Sequence, residues 1–141
     1  RGVRHSHLDT GNPLACRAAL ATLDIFEREN VLAVNRERAA MIDGLFAPLH
    51  AHARVRNARR TGMIWAWDIV GAPAGFARRY ARHALAHGVL LRPIGATLYA
   101  MPPYVLEDDT ARHLADGALA ALEATLAEPE PTLLAAGQAL P

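Results

Sequence analysis

Lysine is absent: all 15 basic side chains of the 141 residues are arginine. No side chain here can therefore supply an ε-amine as a nucleophile or for a Schiff base. Cys16 is the single cysteine, which excludes an intrachain disulfide and a cysteine-built zinc site and fits a reducing compartment. An excess of one charge is missing too. Fifteen arginines against 14 acidic residues leave a formal net charge of +1, so nothing marks the chain for nucleic acid or an anionic membrane. No apolar run approaches the roughly 20 residues that span a bilayer, and no signal-peptide pattern opens the chain, so a cytoplasmic location is expected. The chain also opens on Arg1 rather than an initiator methionine, in a stretch (RGVRHSH) without helix or strand signal. The expectation is a piece of a longer protein, about one domain in size.

What is present is a regular alternation of helix and strand signals. Asn12 before Pro13 is a helix start, since asparagine caps free amides and proline suits the first turn. The helix predicted over 13–28 places Leu14, Ala18, Ala21 and Ile25 on one face, as a packing helix rich in alanine. A second helical pattern covers 31–49, with Val34, Met41, Ile42, Leu45, Phe46 and Leu49 inward and Arg36, Glu37, Arg38 and Asp43 outward. Glu29 and Asn30 mark a candidate break, and the sequence leaves open one kinked helix or two. The period then changes to that of strands: 55–60 as a polar edge, Gly62 as a turn, and 63–70 as an apolar strand with Trp65 and Trp67 on one face for packing. A helix over 76–87 closes at Gly88, and its Arg78, Arg79 and Arg82 read as a solvated basic face. The last helix covers 106–126, with Glu107, Asp108 and Asp109 in a first turn that favours anions and Leu114, Leu119, Leu122 and Leu126 as its buried stripe. Residues 128–141 read as a tail. Together these predict an α/β (α+β) small domain with a three- or four-stranded sheet covered by helices on one side.

The chemistry concentrates in residues 88–104, GVLLRPIGATLYAMPPY. Residues 89–91 read as a short strand buried on both faces, ending at Arg92. After the turn at Pro93 and Gly95, residues 97–101 return as a second strand that brings Tyr99 near Arg92. A guanidinium matches a carboxylate or phosphate through two parallel charge-assisted bonds, which makes Arg92 a candidate clamp. The alternative is that Arg92 pairs with a neighbouring carboxylate and Tyr99 is core. His5 with His7 and His50 with His52 form two H-x-H pairs, but neither has a nearby carboxylate or cysteine to complete a metal site.

The motifs LRPIG and LYAMPPY, with TGNPLAC earlier, resemble the C-terminal part of class III pyridoxal-phosphate aminotransferases, in particular the adenosylmethionine-8-amino-7-oxononanoate aminotransferases of biotin synthesis. The resemblance runs from His5 to about Leu126. It implies the C-terminal domain of fold-type I pyridoxal-phosphate transferases, with residues 1–30 leading out of a large cofactor domain, 31–127 as the small domain and 128–141 as the tail. It implies pyridoxal 5'-phosphate as cofactor, S-adenosylmethionine and 8-amino-7-oxononanoate as substrates, and a homodimer with active sites at the subunit interface. By the same resemblance Arg92 binds the substrate carboxylate, Tyr99 lines the substrate pocket, and the loop with Ser6, His7 and Leu8 reaches the cofactor phosphate of the partner subunit. The family position for a phosphate-binding hydroxyl falls on Leu8, which cannot donate a hydrogen bond. The Schiff-base lysine belongs to the large domain, so this segment by itself is expected to be inactive. The alternatives are another class III aminotransferase, or a non-catalytic module that binds a carboxylate or a protein partner.

Overall fold

The computed structural model describes residues 11–129, in two compact units that meet between Arg38 and Ala39. In the first unit, helix α1 (Pro13–Arg28) starts where Asn12 Oδ1 accepts from the amides of Leu14 at 3.0 Å and Ala15 at 3.4 Å. It ends at Glu29, whose amide donates to the Ile25 carbonyl, and Asn30 then turns the chain at φ 47°, a left-handed value that asparagine tolerates. Helix α2 (Val31–Leu45) follows, so the helical stretch is two helices rather than one kinked helix. The packing stripe expected on α1 is not buried: none of its residues is, and Leu14 and Ile25 are exposed, as is Val34 on α2.

In the second unit, α2 gives way at Phe46 to a single turn, α3 (Ala47–His50), where the sequence predicted one helix to 49. Pro48 is the reason, since it has no N–H for an α-helical bond and its ring crowds the carbonyl four residues earlier. Ile42, Phe46 and Leu49 are buried as expected. Strands β1 (Val55–Thr61), β2 (Ile64–Ile69) and β3 (Thr97–Ala100) form an antiparallel sheet in the order β1-β2-β3. Gly62, at φ 57°, turns β1 into β2. One sheet face carries Trp65, Trp67, Ile69, Leu98 and Ala100, all buried. Phe46 stacks there with ring centroids 5.4 Å from Trp65 and 4.9 Å from Trp67, so the tryptophans are core.

Helices α4 (Phe76–Ala86) and α5 (Asp108–Ala127) complete the layer. The buried stripe of α5 differs from the predicted one. Ala111, Ala115, Gly117, Ala118, Ala121, Leu122 and Thr125 are buried, while Leu114, Leu119 and Leu126 are only partly covered. Small residues let α4 come close enough for the Tyr80 hydroxyl, itself buried, to donate to the Ala118 carbonyl at 3.0 Å.

The basic face of α4 is solvated at Arg78 and Arg82, as expected, but not at Arg79. Arg79 is only 7% exposed and donates through Nε to Glu128 Oε2 at 3.0 Å, and through its second guanidinium nitrogen to the carbonyls of Glu128 and Pro129. Arg82 reaches Glu128 Oε1 at 2.6 Å and His83 Nε2 lies 3.1 Å from Oε2. These groups, His83 first, hold the Glu128 carboxyl at about 2, well below its ordinary value. A helix face reads as solvated in sequence when its counter-charge lies 46 to 49 positions away.

Candidate carboxylate-binding site

Helix α4 ends in a Schellman turn: Gly88, at φ 74°, donates to the Leu85 carbonyl at 3.0 Å and Val89 donates to Ala84 at 2.9 Å. That turn starts residues 89–92 from a fixed point. The strand expected over 89–91 does not form. The Val89 amide is consumed by the helix cap, Pro93 has no amide to give, and the only bridge in the neighbourhood is Ile94 with Thr97 at the following turn. The segment is not part of the sheet, with Val89 buried and Leu90 74% exposed rather than covered on both faces. Gly95, at φ 60°, makes the turn into β3.

This hairpin brings Arg92 and Tyr99 to one pocket of about 230 Å³, walled by Leu90, Leu91 and Met101. Among the described residues neither the Arg92 guanidinium nor the Tyr99 hydroxyl has a hydrogen-bond or ion-pair partner, so Arg92 is not satisfied by a neighbouring carboxylate. Tyr99 is half-buried on the sheet face opposite the tryptophans, paired with Ala66. A cation and a phenol over aliphatic walls suit an anion carried on an apolar chain: a guanidinium can take two oxygens, a hydroxyl can donate a further bond, and the walls can cover methylenes. A larger apolar groove of about 320 Å³ shares Leu90, Leu91 and Met101 and continues towards His113 and Leu114 on α5.

Beside Tyr99 lies a polar network that sequence reading did not single out. Asp68 Oδ1 accepts from the Thr97 hydroxyl at 2.9 Å, Oδ2 from the Asn57 amide at 2.8 Å, and Arg59 sits 3.1 Å from Oδ1. These bonds, Asn57 and Thr97 foremost, hold the Asp68 carboxyl below its ordinary value. The signal available in the sequence was the alternation W-x-W-x-I, which assigns Asp68 to the face opposite the core.

The remaining candidates separate clearly. His52 Nδ1 accepts from the Arg54 amide at 3.1 Å, and His50 lies 3.9 Å from Asp43. Asp43, read as outward, accepts from the Trp65 indole at 2.8 Å. Among the described residues no group of three or more His, Cys, Asp or Glu side chains could hold a metal ion, and no helix is long and apolar enough to cross a membrane. Ser6, His7 and Leu8, with His5, lie outside the described residues.

An antiparallel three-stranded sheet covered by helices, with Arg92 and Tyr99 lining one pocket at its exit, defines an α+β domain. The chain belongs to the class III aminotransferase family, whose model matches residues 5–122. It is 35% identical over 124 residues to an adenosylmethionine-8-amino-7-oxononanoate aminotransferase of Helicobacter pylori, a match that covers 84% of this chain and 28% of the relative. It is 39% identical over 106 residues to the Synechococcus elongatus enzyme of the same name, covering 72% of this chain and 24% of that one. The crystal structure of the Methanocaldococcus jannaschii enzyme of that name superposes with a TM-score of 0.75 at 30% identity, over 87% of this chain and 30% of its own. An omega transaminase from Pseudomonas jessenii, 23% identical with a TM-score of 0.74, shares the fold. The chain thus spans between a quarter and a third of the length of these relatives.

Proposed function

We propose that this chain is the C-terminal part of a pyridoxal-phosphate aminotransferase that moves the amino group of S-adenosylmethionine to 8-amino-7-oxononanoate, giving 7,8-diaminononanoate in biotin synthesis. The observation that carries the site is the unpaired Arg92 facing a pocket it shares with Tyr99. An acceptor with a carboxylate at the end of an aliphatic chain matches that pocket part by part: Arg92 takes the carboxylate, Tyr99 donates to one of its oxygens, and Leu90, Leu91 and Met101 cover the methylenes. Fixing that end orients the reacting end and removes part of the entropic barrier to reaction.

The cofactor supplies an electron sink for the amino transfer when bound. The residues of this chain do not make a site for it. There is no lysine to bond its aldehyde, and no described residue near Arg92 offers a phosphate cradle. The proposal accordingly includes a large domain that holds the cofactor, a homodimer in which the loop with Ser6, His7 and Leu8 serves the partner subunit, a cytoplasmic setting, and inactivity of this chain by itself. The uncovered apolar stripe of α1, with Leu14 and Ile25 exposed, suits a helix that packs on such a domain.

The test is Arg92→Ala in the native aminotransferase. Loss of a charge-assisted bidentate pair raises KM for the carboxylate acceptor by roughly 10-fold or more and leaves the half-reaction with the amino donor unchanged. An unaltered KM removes Arg92 from the site. Consumption of a different amino donor would favour another class III activity. The absence of lysine favours the one contrasting reading, a non-catalytic carboxylate-binding module. That reading requires a native protein that folds cooperatively as a monomer and carries no cofactor.

A further inference from the structure

We infer that Asp68 is a positioning residue for the Arg92 and Tyr99 pair, acting through Thr97; the inference rests on the function proposed above. Thr97 stands between the two site residues on the hairpin, five positions after Arg92 and two before Tyr99. Its backbone closes the turn in both directions, with the Ile94 amide donating to its carbonyl at 2.9 Å and its own amide donating to Ile94 at 3.0 Å. Its hydroxyl donates to Asp68 Oδ1, directly across the ladder on β2. The turn that sets the spacing of guanidinium and phenol is therefore held to the central strand by a backbone bond, the Ile69 amide donating to the Ala96 carbonyl at 2.9 Å, and by this one side-chain bond, while residues 89–92 on its other side have no strand partner.

The remaining bonds to Asp68 point the same way. Between Arg56 and Arg59, β1 has two residues opposite one on β2, a bulge. Within it Asn57 adopts φ 50° and aims its amide at Asp68 Oδ2. Asparagine tolerates this left-handed backbone, and a bulge re-aims a side chain. Its product here is a second donor on the carboxylate, with Arg59 as the third. A carboxylate held on both oxygens has little freedom to let Thr97 move.

The experiment compares Thr97→Val, Thr97→Ser and Asp68→Ala in the native, cofactor-loaded aminotransferase, with Arg92→Ala alongside. Valine keeps the shape of threonine and removes only the hydroxyl. Thr97→Val should raise KM for the carboxylate acceptor about five-fold, less than the full worth of a hydrogen bond to a charged group because Thr97 acts on Arg92 and Tyr99 indirectly, and leave kcat and the donor half-reaction within about two-fold. Thr97→Ser should restore the wild-type KM. If Thr97→Val does not fold, Asp68→Ala, which leaves the Thr97 hydroxyl without its acceptor, carries the same expectation. An unchanged KM in Thr97→Val while Arg92→Ala raises it overturns the role of Asp68 and leaves the site standing. An unchanged KM in both overturns the site itself. A fall in kcat and in the donor half-reaction together with the rise in KM makes Asp68 merely structural, which also overturns the inference.

Discussion

Gly117 sits inside α5, where alanine is ordinarily better by about 1 kcal/mol, so helix propensity alone predicts that Gly117→Ala stabilises the chain. Packing predicts the opposite. A Cβ at Gly117 would meet Val89 Cγ1 at 2.8 Å and Cγ2 at 3.0 Å, with the His87 carbonyl behind at 3.4 Å. Both methyls of a β-branched side chain are in the way, so rotation about χ1 exchanges one clash for another, and relief requires the backbone of residues 88–92 to move. Overpacking of this kind costs about 1–3 kcal/mol, which leaves a net loss of about 1 kcal/mol after the gain in propensity. Urea unfolding of the wild type, Gly117→Ala, Val89→Ala and the double variant measures it. The double variant should be more stable than the sum of the single effects, because Val89→Ala removes both clashing methyls. A Gly117→Ala chain more stable than wild type, or strict additivity, would refute the close approach of the Arg92 segment to α5.

Two further expectations concern the helix pair. Glu128 has a folded value of about 2 against 4.5 for the free group, so the unfolded state takes up the proton first. Its contribution to stability is present above pH 4.5 and lost as the pH falls towards 2, and thermal unfolding across that range should show a steeper decline for the wild type than for Glu128→Gln. Equal declines would mean that the Arg79, Arg82 and His83 contacts do not hold the carboxylate. Tyr80→Phe removes the bond to Ala118 and should lower stability by about 1 kcal/mol at neutral pH. Burial raises the Tyr80 phenol above its ordinary value of 10.0, so the wild type should lose stability above that pH while the variant does not. The same alkaline response in both would show that another group is responsible.

Local chemistry was legible in the sequence wherever a single residue type dictates the backbone. The Asn12 and Pro13 start, the break at Glu29 and Asn30, the turn at Gly62 and the end of α4 at Gly88 all stand where they were read. What was not legible depends on competition between elements. Residues 89–91 have the composition of a strand, but their first amide is taken by the helix before them and Pro93 closes the other end. The α5 stripe was assigned to its leucines by hydrophobicity, yet closeness of α4 selects the smallest side chains for the deepest positions. For the candidate site, the nearness of Arg92 and Tyr99 was legible because a short hairpin limits their separation, while the roles expected of them came from the family resemblance. The Asp68 network was not, since it joins Asn57, Arg59 and Thr97 across three strands and depends on a bulge that no local pattern announces.

The alanine face of α5 makes the domain tolerant of change in an uneven way. Ala111, Ala115, Ala118 and Ala121 are each at most 4% exposed, and each contributes little apolar area. A leucine at the core's edge can mutate to many shapes and lose a part of its contacts, but an alanine at a close helix crossing has only glycine below it and a clash above it. In a library of all single substitutions these four small positions should be the most depleted, and the bulkier Leu114, Leu119 and Leu126 beside them the freer ones. Residue size and mutational constraint run in opposite directions along this helix.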